Sequence, residues 1–274
     1  MIKFTKAHAY GNDFLYVRKA DIRDIPVDAQ SALAREMCDR HAGMGADGLI
    51  VYEPTPAGAT MTLWNADGSR AEVSGNGVRA LAALLLQGDE HPGAPIAIQT
   101  DAGLKQLTRL NHVGSRQTFR SSMGRPSDPQ QAKIIVGGES VAVVVLNMGN
   151  PQCVVLGSIP DESRFRSLGQ ALERHVAFPE GTNVEFAHVE TPERIRILIW
   201  ERGVGPTQSS GTGSCAALVA AAAFGGAARD AEVIAPGGAQ RVEWLADSVY
   251  VTGWAEVLCE GEWLPHFPRS TPPI

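Results

Sequence analysis

What this sequence lacks removes several classes of function at once. It has no run of lysine or arginine, and 24 basic residues against 30 acidic ones leave a formal charge of −6. Phosphate backbones are held by a concentrated basic face, so the reading excludes nucleic acid as a main partner. No apolar stretch approaches the roughly 20 residues that span a bilayer. The opening MIKFTKAHAYGNDF has neither the apolar core nor the small-residue cleavage site of a secretory signal. A cytoplasmic protein with no membrane partner is expected. Cys38, Cys153, Cys215 and Cys259 stand singly, with no Cys-x-x-Cys and no histidine at ligand spacing. That pattern predicts neither a disulfide framework nor a metal site, and most of the cysteines read as small buried hydrophobes.

What is present is the material of a folded protein: 274 residues, 44% apolar and 20% charged, enough for two domains of ordinary size. Short alternating or β-branched segments bounded by turn residues predict strands at 1–5, 14–17, 49–52, 60–64, 96–100, 141–148, 153–156, 183–188, 195–200, 232–235, 241–244 and 249–257. Helical spacing predicts a helix over 28–39, opened by a capping Asp28, and another over 162–175. Two further helices are expected over 78–87 and 214–224. In the first, eight of ten residues are apolar, and in the second only Ser214 is polar. A helix that is apolar all round must be surrounded by protein, and in a strand-rich chain the wrapping is sheet. The expected fold is therefore α+β, with two pseudo-symmetric modules, each a mostly antiparallel or mixed sheet rolled around one central apolar helix. The polar, Ser/Pro/Gly-rich stretch 111–138 reads as the region of the linker, with room for some strand within it. It divides an N-terminal module (1–117, completed by 263–274) from a C-terminal one (118–262).

The two apolar helices follow matching phrases, VSGNGVRALA at 73–82 and SSGTGSCAAL at 209–218. The start of a helix offers N–H groups without intrahelical partners and the positive end of the dipole, so it binds anions. Glycine lets a ligand come close to that backbone. Two such ends facing each other would hold one small acidic molecule, with Ser74 and Ser210 on opposite sides of it. Serine is also a favoured helix cap, and both readings stand. Asn12, Asn65, Asn76, Asn150 and Asn183 sit beside glycines or at strand ends, where they serve as turn residues or as donors and acceptors for a substrate. Arg202 suits a carboxylate and Glu201 an ammonium group; as a pair they also suit a salt bridge.

The phrases KAHAYGNDF (6–14), GMGADG (43–48), NADGSRAEVSGNGVR (65–79), GNPQ (149–152), PEGTNVEF (179–186) and ERGVGPTQSSGTGSCAA (201–217), in this order, resemble the diaminopimelate epimerase family. A further match lies in VTGWAEVLCEGEW (251–263). The resemblance implies an amino-acid epimerase that needs no cofactor and works from a cleft between two modules, and a homodimer. It interconverts LL- and meso-diaminopimelate in lysine and peptidoglycan precursor synthesis: one group removes the α-proton and another returns one to the opposite face. Carried over by motif, the substrate meets Asn12, Asn65, Gly75, Asn76, Asn150, Asn183, Glu201, Arg202, Gly211 and Thr212, and the proton carriers fall at Ser74 and Ser210. The family pattern has cysteine at both carrier positions, glutamine at Gly48, histidine at Gln152 and an acid at Pro206. A thiol ionises near neutral pH at a helix start, whereas serine needs a neighbouring base. The alternatives are another isomerase of this fold acting on a different small carboxylic acid, with His8 or Asp13 as base, or a relative that binds without catalysis.

Overall fold

The computed structural model describes residues 1–89, 91, 93 and 95–264. The chain writes one pattern of elements twice. The first pass is β1 (Ile2–Ala9), β2 (Asn12–Arg18), α1 (Val27–Cys38), β3 (Gly48–Thr55), β4 (Gly58–Asn65), β5 (Arg70–Ala71), α2 (Gly75–Leu85), β6 (Pro95–Thr100), β7 (Gly103–Val113) and β8 (Arg116–Ser122). After β9 (Gln130–Val136), the second pass is β10 (Glu139–Asn147), β11 (Pro151–Leu156), α3 (Glu162–Glu173), β12 (Asn183–Thr191), β13 (Arg194–Glu201), β14 (Gly205–Thr207), α4 (Gly211–Ala220), β15 (Asp230–Ala235), β16 (Gly238–Trp244) and β17 (Val249–Trp263). The parallel pairs β2–β3 and β4–β6 flank α1 and α2, as β11–β12 and β13–β15 flank α3 and α4.

Around α2 the strands close a ring: β1, β2, β3, β4, β6, β7, β8 and β17, with β17 returning to β1. Around α4 the sheet runs from β10 through β11, β12, β13, β15 and β16 to β17. The segment after β8 bridges its ends, since Met123 N donates to Val249 O and Ser127 N to Asn147 O. Both central helices are enclosed: Ala80–Ala83 of α2 and Cys215–Ala220 of α4 have no solvent exposure. Removing each large aliphatic side chain there from water contributes about 1.5–3 kcal/mol. The amphipathic helices α1 and α3 instead cover the outside of the two sheets, burying Leu33, Ala34 and Met37 in one case and Phe165, Leu168 and Leu172 in the other.

All twelve expected strands form, and the differences lie elsewhere. The central helices begin earlier than expected, at Gly75 and Gly211, so the glycine motifs are their first turns. The second ends in a π-helical turn, Ala221–Gly225. The helix at 27–38 is entered from Pro26, with Asp28 in its first turn rather than as its cap. Most of the expected linker is sheet: β8 alternates buried Gln117, Phe119 and Ser121 with outward polar residues, and it is sandwiched between β7 and β17. Its polar composition hid a strand whose inward face holds one aromatic residue. Within the expected completion of the first module by 263–274, residues 265–274 lie outside the described residues. Cys38, Cys153 and Cys215 are buried, and Cys259 is exposed on β17. Among the described residues no helix is long and apolar enough to cross a membrane.

Candidate active site

The two glycine motifs meet. A Cβ on Gly75 would lie 3.8 Å from the Cα of Gly211, and one on Gly211 would lie 3.9 Å from the Cα of Gly75. Glycine at both positions leaves the backbone of the two helix ends open to a ligand, and the positive ends of two dipoles converge. Anionic charge brought between them is favoured. Met123 borders the gap from the segment between β8 and β9, its Cε 4.0 and 3.6 Å from the same two positions. Ser74 and Ser210 are the caps: Gly77 N donates to Ser74 Oγ at 3.1 Å and Gly213 N to Ser210 Oγ at 3.2 Å. Capping accounts for their extended backbones and leaves each hydroxyl proton free to point elsewhere.

Asn76 ties the halves together. Its amide nitrogen donates to Ser209 O at 3.2 Å and to Asn12 Oδ1 at 3.5 Å, and its oxygen accepts from Arg79 Nη1 at 3.1 Å. Arg79 is almost wholly buried, donates to Gln240 Oε1 at 3.3 Å and faces the Tyr10 ring at 5.8 Å. Gln240 in turn donates to Ser209 Oγ at 2.8 Å. A buried network of this kind holds the two helix ends in one register.

Asn12 donates to Asp47 Oδ2 at 2.6 Å, and Arg40 reaches both Asp47 (2.9 Å) and Asp13 (2.8 Å). Lys6 completes an ion pair with Asp13 at 2.9 Å. Burial alone would raise the Asp13 pKa, but hydrogen bonds and charge from Arg40 and Lys6 pull it below the ordinary carboxylate value. His8 accepts from Gly11 N at 3.2 Å and lies 3.8 Å from Glu256. Both side chains are engaged in the fold rather than directed at the serines. Asn65 donates to Ser69 Oγ at 2.9 Å within its own turn, and α1 holds that turn through Ser31 Oγ to Gly68 O at 2.7 Å.

On the other side, Glu201 ends β13 beside the cap of α4. Burial pushes its carboxyl up to about 7; the hydroxyl of Ser210, lying against it, works in the opposite direction, and the charge of Asp47 adds to the rise. Among the described residues Glu201 and Arg202 form no ion pair with each other. Arg202 N donates to Asn183 Oδ1 at 3.0 Å and its guanidinium to Glu180 O at 3.2 Å. Asn183 Nδ2 donates to Pro151 O at 3.2 Å, and Thr212 Oγ1 lies 3.4 Å from Ser210 Oγ. Asn150 sits beside Gln152 at the head of β11. Of the expected site residues, Gly75, Asn76, Gly211, Asn12, Glu201 and Thr212 thus gather about the two caps. Asn183 and Arg202 form a second group joined to it by β13, and Asn65 stands at the neighbouring turn.

Sequence reasoning missed three carboxyl-centred features. Glu185, on β12, has no solvent exposure, and its Oε1 lies 2.8 Å from where a Cβ on Gly213 would stand. Turned so that its nitrogen faces this carboxyl, the buried Gln152 amide donates to Glu185 Oε1 at 2.9 Å, the orientation that gives both groups a partner. Burial, reinforced by the charge of Glu201, holds Glu185 well above the ordinary glutamate value. Glu173 at the end of α3 accepts from Trp200 Nε1 at 2.8 Å and from Gly203 N at 2.9 Å, gripping the turn that carries Glu201 and Arg202. The counterpart in the first half is Trp64 Nε1 donating to Gln30 Oε1 at 3.3 Å. The third is Asp47, set by Asn12 and Arg40. A single glutamate inside the apolar run of β12 was the one signal available for Glu185. At Gly48 a Cβ would come 2.7 Å from Trp64 O, so the backbone of β4 leaves no room for a side chain there. Among the described residues no three His, Cys, Asp or Glu side chains converge as a metal site.

Comparison with known proteins identifies the family and the fold. A family model described as diaminopimelate epimerase matches residues 4–128 and 144–258. A diaminopimelate epimerase of Desulforudis audaxviator (strain MP104C) is 40% identical over 279 residues, covering 96% of this chain and 99% of the relative. One of Pelotomaculum thermopropionicum is 37% identical, covering 95% and 98%. Among solved structures, a probable proline racemase from Agrobacterium radiobacter K84 superposes with a TM-score of 0.74 at 18% identity, covering 99% of this chain and 95% of that one. A predicted epimerase from Pseudomonas aeruginosa gives 0.72 at 16%, covering 97% and 100%. These structural likenesses show a shared fold.

Proposed function

Because this chain belongs to the diaminopimelate epimerase family, we propose that its cleft binds diaminopimelate and moves the α-proton, interconverting the LL and meso forms without a cofactor. The observation that carries this reading is the meeting of Gly75 and Gly211 across the gap, with a capping serine on each side. The substrate's α-carboxylate lies between the two helix starts. Their N–H groups hold it more tightly as negative charge spreads onto it from the deprotonated carbon. Asn12, Asn65, Asn76, Asn150, Asn183, Glu201, Arg202 and Thr212 supply the remaining contacts, with Arg202 suited to the distal carboxylate and Glu201 to an ammonium group or a proton. The walls are the ring around α2 and the sheet around α4, rather than residues 1–117 and 118–262, because β8 spans that boundary and β17 belongs to both halves. The protein acts in the cytoplasm as a homodimer, as the resemblance implies.

The carriers at 74 and 210 are hydroxyls, which do not ionise near neutral pH as a thiol at a helix start does. Turnover is therefore slow, and any basicity must come from the neighbours of each serine. The test is the double variant Ser74→Cys with Ser210→Cys, assayed for interconversion of LL- and meso-diaminopimelate. A large gain in turnover supports the reading. No gain and no binding of either isomer transfers the site to a different small carboxylic acid, a reading favoured by Gln152 and Pro206 at positions that depart from the family pattern, whereas tight binding with no gain leaves a cleft that binds without catalysis.

A further inference from the structure

The two hydroxyls are not chemically equivalent. Ser210 lies against the carboxyl of Glu201, and a second buried carboxyl, Glu185, stands behind the same first turn. A Cβ on Gly213 would be 2.8 Å from Glu185 Oε1 and 3.3 Å from Ser210 Oγ. The hydroxyl of Ser74 has one hydrogen-bond partner among the described residues, the backbone N–H of Gly77. The turn it caps is bordered by Ile50 and Phe14, whose side chains lie 2.8 and 3.5 Å from where a Cβ on Gly77 would stand. The acids of that half are engaged: Asp47 takes bonds from Asn12, Arg40 and the amide of Asp13, and Asp13 is paired with Lys6 and Arg40.

Resting on the reading of the cleft as an epimerase site, we infer that the protein exchanges the α-proton of its substrate with solvent at the Ser210–Glu201 face far faster than it inverts that carbon. At this face the α C–H bond breaks and its proton ends on the Glu201 carboxylate, directly or through Ser210. In the relay, the Ser210 hydroxyl gives its proton to Glu201 as it takes the substrate's. The electron pair left on carbon delocalises into the substrate carboxylate between the helix starts. Glu201 then returns a proton, or a deuteron acquired from solvent, to the same face, and the original configuration is regenerated. Inversion needs Ser74 to give up its proton instead. That leaves an alkoxide whose only hydrogen-bond donor among the described residues is a backbone amide, with no side-chain acid bonded to it to restore the hydroxyl.

A group confined to one face reaches the α-hydrogen of only one member of an epimeric pair. Exchange is therefore fast for either LL- or meso-diaminopimelate, and slow for the other.

The test incubates the full-length protein with each isomer separately in D2O, following α-hydrogen loss by proton NMR and configuration by chiral chromatography. The expected result is at least tenfold more deuterated, uninverted substrate than inverted product from one isomer, little exchange in the other, and loss of exchange in Glu201→Gln. Ser74→Cys should raise inversion relative to exchange. Deuterium and inversion appearing one for one from both isomers would overturn the inference while supporting the proposed function. Exchange unaffected by Glu201→Gln would overturn the assignment of the face. Binding seen as ligand line broadening, without exchange of either isomer, overturns the inference and leaves the cleft as a binding site; absence of binding overturns the reading on which the inference rests.

Discussion

Replacing Glu201 by glutamine should flatten the pH dependence of stability between about pH 5 and 8. In the folded protein the carboxyl is pushed from an ordinary value of 4.5 up to about 7, chiefly by burial. One pKa unit corresponds to about 1.4 kcal/mol, so ionising Glu201 in place costs about 2–3 kcal/mol once its partial exposure is allowed for. The native state keeps this proton up to about pH 7, whereas the unfolded chain releases it near 4.5. Within that window the native state binds more protons, and stability falls as pH rises. The contribution is whole below the unfolded value and lost as pH passes the folded one. Glu185 acts in the same direction. Asp13, held low by Arg40 and Lys6, acts in the opposite direction and at lower pH, where acidification removes its contribution. Glutamine keeps the shape and an acceptor for Ser210 but carries no charge. Urea unfolding of the two proteins should give nearly equal free energies at pH 5 and a variant more stable by about 2 kcal/mol at pH 8. A difference that is the same at both pH values would refute the assignment of this carboxyl as a buried, proton-holding group.

Other substitutions separate packing from chemistry. Gly213→Ala places a methyl group 2.8 Å from Glu185 Oε1 and 3.2 Å from Ser210 Cβ. It should destabilise the fold by about 1–3 kcal/mol despite the better helix propensity of alanine, as measured by chemical denaturation. Gly75→Ala meets only ordinary contacts, 3.8 Å or longer; calorimetry should show diaminopimelate affinity falling roughly tenfold or more, since the methyl group occupies the carboxylate's approach, while thermal unfolding shifts little. Glu173→Ala strands Trp200 Nε1 and Gly203 N, costing about 2–4 kcal/mol. Glu173→Gln, which retains an acceptor, should cost less than half as much in the same assay. Ser74→Cys with Ser210→Cys should raise the turnover number at least tenfold with little change in KM, because the thiolate alters the chemical step rather than binding.

Much of the architecture was legible because the two central helices are unusual in composition. A run such as Cys215–Ala220, with nothing polar to show to solvent, has to be wrapped, and the only wrapping available was sheet. The repeated Ser-Gly-x-Gly likewise announced two matched helix starts. What stayed hidden was set by tertiary placement. β8 is a strand because β7 and β17 lie on either side of it, although its own residues read as linker. Glu173 closes α3 as an ordinary helical glutamate would, and only the arrival of Trp200 and Gly203 makes it a clamp. The pairing of Glu201 with Ser210 and the isolation of Ser74 depend on where β13 ends relative to α4, a distance that no local pattern encodes. The positions departing from the family pattern are explained in part: at Gly48 the β4 backbone excludes a side chain, and Gln152 gives Glu185 its donor. Nothing in the structure explains Pro206.

The long strand β17 has a consequence for how such a molecule is made. Its first residues pair with β16 and β8 and its last with β1, so one stretch of chain serves as a stave of both barrels. On the ribosome, the barrel around α2 therefore waits with β1 and β8 as open edges until residues 249–263 have been synthesised. Unpaired edges are templates for wrong partners, and here they persist through nearly the whole of translation. A gene cut between the two repeats would yield a first half without its closing stave. The two halves of this protein repeat one another in pattern, yet they are no longer separable as objects.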